Sequence, residues 1–535
     1  MRTTIGAMSN FNDARVRRAN DRPPNTRGKY VLYWMQMFRR FHANHALDHA
    51  IRLAAEWKKP IVVYEALKLN YPWASARHHT FIIQGIRDNA KAAKQLGVSY
   101  WPFVETPDDA GRGLVKKLAS EACAIVTDDY PAFIVPAHNR ALADRCEVPF
   151  LVVDGNSIVP LSMLGDAVSA AAHLRHRIHK HFADAWRHRA ASEPDIPKAA
   201  KGKIDPPFDP WNPKQDVAKF VASLPLDQNV LAVPGVEGGS VAGRAVLSEF
   251  AARKLRNYAD GRNHPDDPKR TAASGLSPYL HFGHVAVQVV AEAVLGKRWS
   301  PRKINPKAKG KRDDFFTRDA NVNSFLDEAL TWRDTGYQWH FARLLEISDP
   351  HGGGLSWQNK KGTRPQFNFE TFDFSPGGER TLDVVLSDWA KATLKKHAGD
   401  TRTHIYRLDE FENADTHDEL WNAAQRELVA TGRMHNYLRM LWGKKVLEWS
   451  KTPAEAYAVL EHLNNKYALD GRDPNSYTGI LWCFGLFDRP WPPERKVFGA
   501  VRYMSSENTA KKFDLDSYYE YVERVSVRRG KRRTL

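Results

Sequence analysis

The chain has few cysteines and no long apolar run, and each shortage excludes a class of protein. Its 535 residues include three cysteines, Cys123, Cys146 and Cys483, too few and too scattered for a disulfide framework or a paired-cysteine zinc site. The most apolar stretch, residues 285–295, is much shorter than the roughly 20 residues that span a membrane as a helix. The N-terminal residues lack the apolar core of a secretory signal. We therefore expect a cytoplasmic protein without a membrane segment, a disulfide framework or a bound metal.

Positive charge and tryptophan are both abundant. Lys and Arg total 79 against 62 Asp and Glu, which gives a net charge of +17 and a pI near 9.5. Such an excess suggests an anionic partner, most often nucleic acid, although a solvated surface explains charge alone equally well. Basic runs lie at Trp299–Arg312 and near the C-terminal end of the chain. The 16 tryptophans can stack on bases, pack in a core or carry an electron hole, and composition does not choose among these roles.

Short apolar runs alternate with helical patterns over residues 28–187. The runs are Tyr30–Trp34, Pro60–Tyr64, Ser99–Val104, Ala124–Asp128 and Phe150–Asp154. Strands that alternate with helices of this length predict βαβ units and a parallel sheet. No GxGxxG motif follows the first run, so the usual dinucleotide-binding signature is absent. We predict an α/β N-terminal domain that is Rossmann-like in outline, preceded by a basic tail over residues 1–27.

The second half of the chain has helical patterns. Residues 188–245 are rich in Pro, Lys, Gly and Asp, which predicts a linker. Over residues 246–535 the predicted helices are Ser248–Tyr258, Leu280–Leu295, Asn321–Leu345, Glu419–Ala430, Met434–Trp449 and Pro453–Tyr467. Two loops rich in Gly, Pro and aromatic residues interrupt them, at His351–Gly378 and Asp470–Tyr503. We predict an all-α C-terminal domain whose loops carry function.

Two short motifs combine polar groups at helical spacing. Ser274 and Ser277 lie ahead of Pro278 at a predicted helix start, where open amides could bind a pyrophosphate, although an ordinary capped helix is favoured on pattern alone. Glu328 and Trp332 are four residues apart, so they share a helix face. A carboxyl group can bridge the polar edge of a pyrimidine while an indole covers its apolar side. A surface Glu beside a core Trp explains the same spacing.

The helical segment before residue 450 places an arginine beside two indoles. At 100° per residue, Trp442 and Trp449 lie about 60° and 80° from Arg439 on one side, and Met440 lies on the other flank. This arrangement suits a ligand with an indole flank behind it, but an amphipathic helix with a tryptophan core explains it too. The polar loop that follows contains Asp470, a plausible partner for Arg439.

Taken together, these segments resemble DNA photolyases, in particular the class II group that repairs cyclobutane pyrimidine dimers. The matching segments are Ser274–Gly283, Phe325–Glu328, Thr416–Gln425, Gly432–Trp442, Tyr467–Gly479, Asp488–Trp491 and Phe498–Met504. The last three, read in order, are specific to that group. The N-terminal domain resembles it more loosely, through Tyr30–Met35, Asn44–Ala50 and Arg77–Gly85.

The resemblance implies an α/β antenna domain and a helical domain that binds FAD. In this family, reduced anionic FAD absorbs blue light and passes one electron to a dimer flipped out of DNA; the dimer splits and the electron returns. The flavin carries the difficult chemistry, while the protein supplies position and electrostatics. The implied partner is UV-damaged DNA, and we expect a monomer. The resemblance leaves open an antenna pigment, of the 8-hydroxy-5-deazaflavin type or a folate.

The resemblance also implies which residues bind FAD. These are Tyr258, Ser274, Gly275, Leu276, Ser277, Arg439, Asp470, Gly471 and Arg472. Arg439 and Asp470 resemble the ion pair beside the isoalloxazine ring, and Asn464 resembles the side chain that faces its N5 atom. A cation near N1 favours the anionic reduced ring, which is the electron donor.

A second set of residues is implied for the substrate and for the electron supply. Those for the dimer and DNA are Glu328, Trp332, Met440, Trp482, Arg489 and Arg502. By resemblance, Glu328 contacts the polar edge of the dimer, Trp332 and Trp482 form its walls, and Met440 forms its floor. Arg502 fills the gap in the duplex, and Arg489 meets phosphates, a contact that salt weakens. Trp442, Trp421 and Trp449 match the class II photoreduction relay, in that order outward from the flavin; core packing is the alternative.

Three departures from the usual class II pattern indicate a divergent branch. Gln36–Arg40 (QMFRR) replaces the usual SRDQR, Asn436 stands where the group has Gly, and Thr331–Gly378 is longer and has a different sequence.

Other functions also fit parts of the sequence. A cryptochrome-like photoreceptor without repair activity would use the same relay, and charge alone would fit a nucleic-acid-binding protein without a cofactor. Repair of the 6-4 photoproduct is disfavoured because the class II motifs dominate.

Overall fold

The computed structural model describes residues 12–265, 271–347, 367–368, 373–374, 382–383 and 385–530. The chain forms two compact units. The first comprises Met1–Asp166, Leu174–Ala252 and Ser274–Ala342, and the second Ala167–His173, Arg253–Ala273 and Arg343–Leu535. The predicted domain boundaries differ from this division, because Ser274–Ala342 belongs to the first unit.

A six-stranded sheet forms the centre of the first unit. Its strands are β1 (Val16–Arg18), β2 (Tyr30–Met35), β3 (Ile61–Leu67), β4 (Ser99–Val104), β5 (Ala122–Asp128) and β6 (Phe150–Val153). Their spatial order is β1-β6-β5-β2-β3-β4. Strands β2 to β6 pair in parallel, with Val31 opposite both Ile61 and Ala124, so the predicted α/β fold with a parallel sheet is confirmed. Every residue of β2 is buried, as expected for the middle strand of a parallel sheet.

The edge strand β1 lies within the predicted basic tail. Residues 16–18 pair antiparallel with β6, with Val16 opposite Val153, so this part of the tail prediction is wrong. The buried guanidinium of Arg15 fixes this segment by donating to the backbone carbonyls of Asp154 and Ser157 at 3.1 and 3.0 Å. A three-residue strand anchored by a distant contact leaves no periodic signal in the sequence.

Helices cover the sheet and extend the first unit beyond it. They are His45–Glu56, Ala76–Leu96, Leu114–Glu121, Val135–Ala143, Ala171–Arg187 (in this unit from Leu174), Val217–Ala222, Ser240–Glu249, Ser277–His281, Val287–Leu295, Ala320–Leu326 and Arg333–Ile347 (in this unit to Ala342). The first begins where the side chain of Asn44 accepts from the amides of Ala46 and Leu47. Short helical turns occur at Asp13–Arg15, Leu161–Leu164, Lys198–Ala200, Pro301–Lys303 and Pro306–Ala308.

The predicted linker is folded within the first unit. Val217–Ala222 and Ser240–Glu249 are helical, and the amide of Arg77 donates to the carbonyl of Val230 at 2.8 Å. Backbone contacts of this kind hold the segment against the α/β core. The composition rich in Pro, Lys and Gly therefore indicates an irregular backbone here, but the segment is not a linker without tertiary contacts.

The second unit is helical, as predicted. Its helices are Tyr258–Gly261, Asp388–Lys396, Leu408–Asn413, Glu419–Thr431, Asn436–Trp449, Pro453–Tyr467, Pro474–Trp482, Ser506–Ala510 and Asp516–Gly530. Phe367–Asn368 pairs antiparallel with Asp373–Phe374. Most of the predicted loop His351–Gly378 lies outside the described residues. Within the described residues, no helix is long and apolar enough to cross a membrane.

Candidate active site

An ion pair in the second unit joins two residues that are 31 positions apart. Nη2 of Arg439, on the helix Asn436–Trp449, lies 3.6 Å from Oδ1 of Asp470, just beyond the helix Pro453–Tyr467. The two side chains are 31% and 16% exposed. Oδ1 of Asp470 is buried and accepts no hydrogen bond from the described residues. The pair is thus too long for a good hydrogen bond and leaves polar atoms available to a third group.

The backbone after Asp470 is held in a tight turn by Asn465. The Oδ1 atom of Asn465 accepts the amide of Arg472 at 2.9 Å, and Arg472 has a left-handed φ of 68°. At Gly471, a Cβ would lie 2.7 Å from the carbonyl oxygen of Asn464, so a larger residue does not fit there. The buried side chain of Asn464 donates to Asn465 at 3.3 Å. Asn465 was not among the predicted site residues, since only its hydrogen bonds show its role.

Three buried indoles form a continuous column in the same unit. The rings of Trp442 and Trp421 are stacked, with centroids 6.4 Å apart and 8° between planes. Trp421 also meets Trp449 at 5.9 Å and 67°. Nε1 of Trp421 donates to the carbonyl of Trp442 at 3.1 Å, and Nε1 of Trp442 donates to Oε1 of Gln425 at 3.0 Å. Trp421 thus contacts both other indoles, and Trp442 lies one helical turn from Arg439.

A second aromatic and basic group surrounds the end of the helix Pro474–Trp482. The guanidinium of Arg502 lies 3.9 Å from the ring centroid of Trp491 and 5.6 Å from that of Trp482. Asp488 accepts from Nε of Arg502 at 3.2 Å and from Nε1 of Trp491 at 3.0 Å. The guanidinium of Arg489 also lies over Trp491, at 4.6 Å. Asp488 and Trp491 therefore position the two arginines, a role that sequence reasoning did not assign.

A buried lysine lies behind Trp482. Nζ of Lys444 is 4.5 Å from the ring centroid of Trp482 and donates to the carbonyl of Cys483 at 2.8 Å. Burial lowers the pKa of Lys444 to about 8. Met440, one turn earlier on the same helix, is partly exposed. Lys444 was not among the predicted site residues, because a lysine in an amphipathic helix is normally a surface residue.

In the first unit, Glu328 and Trp332 lie in an irregular helical turn. The segment Asp327–Trp332 is a π-helix between two α-helices, where a plain α-helix was predicted. Such turns are rare in proteins, and those that occur often lie at functional sites. Asp327 is held by Arg175, with Nε to Oδ1 at 2.7 Å. Trp332 is 43% exposed, and it is the one exposed tryptophan among those the structure describes.

The segment predicted to contact FAD phosphates begins a short helix of the first unit. Gly275 has a left-handed φ of 70°, and the amide of Leu276 donates to Oγ of Ser274 at 3.4 Å. Leu276 occupies the N-cap position of the helix Ser277–His281 and has no side-chain oxygen to cap it. In the second unit, Tyr258 is buried and lies 5.6 Å from the guanidinium of Arg262.

The loop Gln36–Arg40, whose sequence differs from the usual class II pattern, follows β2 at the carboxyl edge of the sheet. The buried carboxylate of Asp128 accepts the amides of Gln36, Met37 and Phe38 at 2.6 to 2.9 Å. Burial raises the pKa of Asp128, while these hydrogen bonds oppose the shift. Nη1 of Arg39 is 2.8 Å from Oε1 of Glu65. The residues of this loop are thus fixed by contacts within the protein.

Comparison with known proteins agrees with this architecture. A family model described as DNA photolyase matches residues 31–199. The deoxyribodipyrimidine photo-lyase of Methanothermobacter thermautotrophicus is 33% identical over 516 residues, which cover 96% of this chain and 98% of that protein. That of Potorous tridactylus is 31% identical, with 95% and 84% covered. A solved structure of a class III photolyase from Agrobacterium tumefaciens superimposes with a TM-score of 0.57 at 17% identity, covering 93% of this chain and 86% of its own.

The fold is therefore that of the photolyases, an α/β unit with a predominantly parallel sheet and a helical unit. Identity above 30% over nearly the whole of both chains goes further than the fold. The chain belongs to the DNA photolyase family.

Proposed function

We propose that this protein is a deoxyribodipyrimidine photo-lyase that uses blue light and reduced FAD to split cyclobutane pyrimidine dimers in DNA. The observation that carries the proposal is the column Trp442–Trp421–Trp449, which starts one helical turn from the Arg439–Asp470 ion pair. A buried chain of indoles beside an incompletely bonded ion pair suits a redox cofactor better than it suits a packing role alone. The near full-length similarity to two enzymes of that name supports the same conclusion.

The residues of the second unit fit FAD. The buried Oδ1 of Asp470 can accept a ring N–H, and the partly exposed Arg439 can donate to a ring carbonyl or an anionic ring nitrogen. Gly471 lets the backbone approach closely, and Asn464 is buried beside it. When bound, FAD supplies blue-light absorption and a one-electron donor. Arg439 stabilises negative charge on its reduced ring, because a cation close by lowers the free energy of an anion in a partly buried site.

The remaining cofactor contacts follow from the resemblance. The segment Ser274, Gly275, Leu276 and Ser277 has two hydroxyls and leads into a helix without a side-chain cap, which suits a phosphate. The resemblance also assigns Tyr258 and Arg472 to the cofactor. The family resemblance also supports an antenna pigment, a deazaflavin or a folate. Absorbance released on denaturation would identify it.

The substrate contacts are assigned to groups that match the chemistry of a pyrimidine dimer. Glu328 can accept a hydrogen bond from the N–H edge of a base, and the exposed indole of Trp332 can stack on a base. Trp482 and Met440 offer apolar surface, while Arg502 and Arg489 carry the charges for the gap and the phosphates. We place the protein in a divergent class II branch, because the segment from Tyr467 to Met504 follows the class II pattern while Gln36–Arg40 and Asn436 do not.

A repair assay tests the proposal. Chemically reduced protein is mixed with an oligothymidylate that contains dimers, and thymine absorbance is followed in blue light and in the dark. We expect light-dependent recovery of absorbance, and none in the dark. Flavin photoreduction without recovery would indicate a cryptochrome-like photoreceptor instead, and a protein that binds DNA but contains no flavin would exclude both functions.

A further inference from the structure

The indole column does not end in water. Trp449, the outermost of the three by prediction, is only 1% exposed. Nζ of Lys445 lies 5.4 Å from its ring centroid and pairs with Glu448 at 2.8 Å. Water therefore does not solvate a positive charge on this indole, and the nearby ammonium partly opposes it. An electron hole that reaches Trp449 needs a further site at which its charge can leave.

Tyr406 provides a contact beyond Trp449. Its ring centroid lies 5.6 Å from that of Trp449 at 80° between planes, closer than the stacked pair Trp421–Trp442. The amide of Tyr406 also donates to the carbonyl of Trp449 at 3.1 Å, which fixes the two residues together. Tyr406 is partly exposed, so it links the buried column to the surface.

The phenol of Tyr406 has a defined proton acceptor. Its Oη atom lies 2.6 Å from Nδ1 of His417 and accepts the backbone amide of His417 at 3.0 Å, so in the tautomer protonated at Nε2 the phenol donates to Nδ1. The exposed His404 stacks on the same imidazole, with centroids 3.8 Å apart. Such a short hydrogen bond prepares the phenol to lose its proton as it is oxidised.

Resting on the proposed function, we infer that Tyr406 is the terminal electron donor of the relay and that His417 takes its proton. The oxidant is the Trp449 radical cation, formed when photoexcited oxidised flavin draws an electron through the column. One electron passes from the phenol of Tyr406 to Trp449, which becomes neutral. The O–H bond breaks, the proton joins Nδ1 of His417, and a neutral phenoxyl radical remains. His417, which is exposed, then releases the proton to water.

The charges around His417 favour its role as acceptor. Burial and His404 hold the pKa of His417 below its ordinary value, and Lys445 acts in the same direction. Asp418 and Glu448 oppose this shift more weakly. The imidazole is therefore neutral at pH 7 and able to take a proton. Acidification should protonate it beforehand and lower the yield of the phenoxyl radical.

Time-resolved electron paramagnetic resonance on the oxidised holoprotein tests the inference. After a blue flash, we expect a neutral tyrosyl signal that narrows when tyrosine is ring-deuterated. In Tyr406→Phe, a tryptophan radical should replace it and recombine several-fold faster. In His417→Gln, which keeps the phenol but lacks a basic nitrogen, the tyrosyl yield should fall severalfold and its solvent deuterium isotope effect should disappear. Tyr519→Phe, a partly exposed tyrosine on the helix Asp516–Gly530, is the matched control and should behave as the wild type.

A wild-type signal from tryptophan alone, or a tyrosyl signal that survives Tyr406→Phe, would overturn the inference. If Tyr406→Phe fails to retain flavin, His417→Gln decides: an unchanged tyrosyl yield and isotope effect would then refute the role of the pair. Repair by chemically reduced protein needs no relay, so it should be equal in all these variants. Loss of that repair in the wild type would contradict the proposed function, whereas intact repair without a tyrosyl radical would contradict only this inference.

Discussion

The indoles of Trp421 and Trp442 are linked twice, by ring stacking at 6.4 Å and by a hydrogen bond of 3.1 Å from Nε1 of Trp421 to the backbone carbonyl of Trp442. The two rings are nearly parallel, with 8° between their planes, and both are buried. Stacking and bonding together keep a fixed distance between the two residues, which suits electron transfer better than a mobile contact would.

Replacing Trp442 should separate photoreduction from repair. In Trp442→Phe, the rate of light-driven flavin reduction should fall close to the rate at which reductants in the buffer reduce the flavin directly. Repair by chemically reduced protein should stay close to wild type. Absorption spectroscopy under blue light measures the first and thymine absorbance the second. Trp299→Phe is a matched control, because Trp299 packs against Trp186 in the first unit, outside the column. Normal photoreduction in Trp442→Phe would point to another electron path.

Glu328 should affect repair without affecting flavin binding. A hydrogen bond to a charged group contributes about 1.5–3 kcal/mol, so Glu328→Ala should lower the repair yield by roughly tenfold or more. Flavin content should stay unchanged. Asp327→Asn is the contrasting variant, since Asp327 is tied to Arg175 at 2.7 Å and its loss should lower the unfolding temperature instead. A wild-type repair yield in Glu328→Ala would refute its assigned contact with the dimer.

Arg489 and Arg502 should differ in their salt dependence. As a phosphate contact, Arg489 should contribute to binding of damaged and undamaged DNA alike, and Arg489→Ala should reduce the slope of log affinity against log salt by about 1. Arg502→Ala should weaken binding of dimer-containing DNA alone, because the proposed role of Arg502 is to fill a gap that only flipping creates. Fluorescence anisotropy over a range of salt measures both. Equal loss on both DNAs for Arg502→Ala would contradict the assigned role.

A cluster around Glu412 should make stability depend on pH. Burial alone would raise the pKa of Glu412, but hydrogen bonds from His462 and Lys466 at 3.1 and 2.8 Å lower it to about 2 from 4.5. A depressed carboxyl pKa stabilises the fold above 4.5, and this contribution is lost as pH falls towards 2. Glu412→Gln should cost at most roughly 3 kcal/mol near neutral pH.

The difference in unfolding midpoint between Glu412→Gln and wild type, followed by circular dichroism, should therefore narrow with acidification. Glu520→Gln, an exposed carboxylate on the helix Asp516–Gly530, serves as a control for charge alone. A difference in unfolding midpoint that stays constant from neutral to acidic pH would contradict the lowered pKa of Glu412.

Much of the fold could be predicted because its signals are local. Five apolar runs became β2 to β6, and Pro453–Tyr467 is a helix with the predicted ends. The predicted helix Leu280–Leu295 is broken instead into Ser277–His281 and Val287–Leu295. The cause is tertiary: Gly283 has a φ of 68°, and a Cβ there would lie 1.9 Å from the carbonyl oxygen of Met37.

The site divides in the same way between local and tertiary information. Motif spacing and family resemblance led to Arg439, Asp470 and the tryptophans, whose residue types are themselves distinctive. Asn465 and Lys444 were missed, because an asparagine that bonds a turn or a lysine beneath an indole looks ordinary in sequence. Their roles depend on which residues the fold brings within hydrogen-bond reach.

The central claim, that this chain holds a flavin for light-driven electron transfer, is tested most directly by the absorption spectrum of the purified protein before and after denaturation. We predict the structured blue-absorbing bands of bound flavin and, on denaturation, release of FAD in an amount close to equimolar with the chain. Asp470→Ala should lower that ratio, since it removes the buried carboxylate assigned to the ring. A colourless protein that releases no flavin, when expressed with ample FAD, would contradict the account.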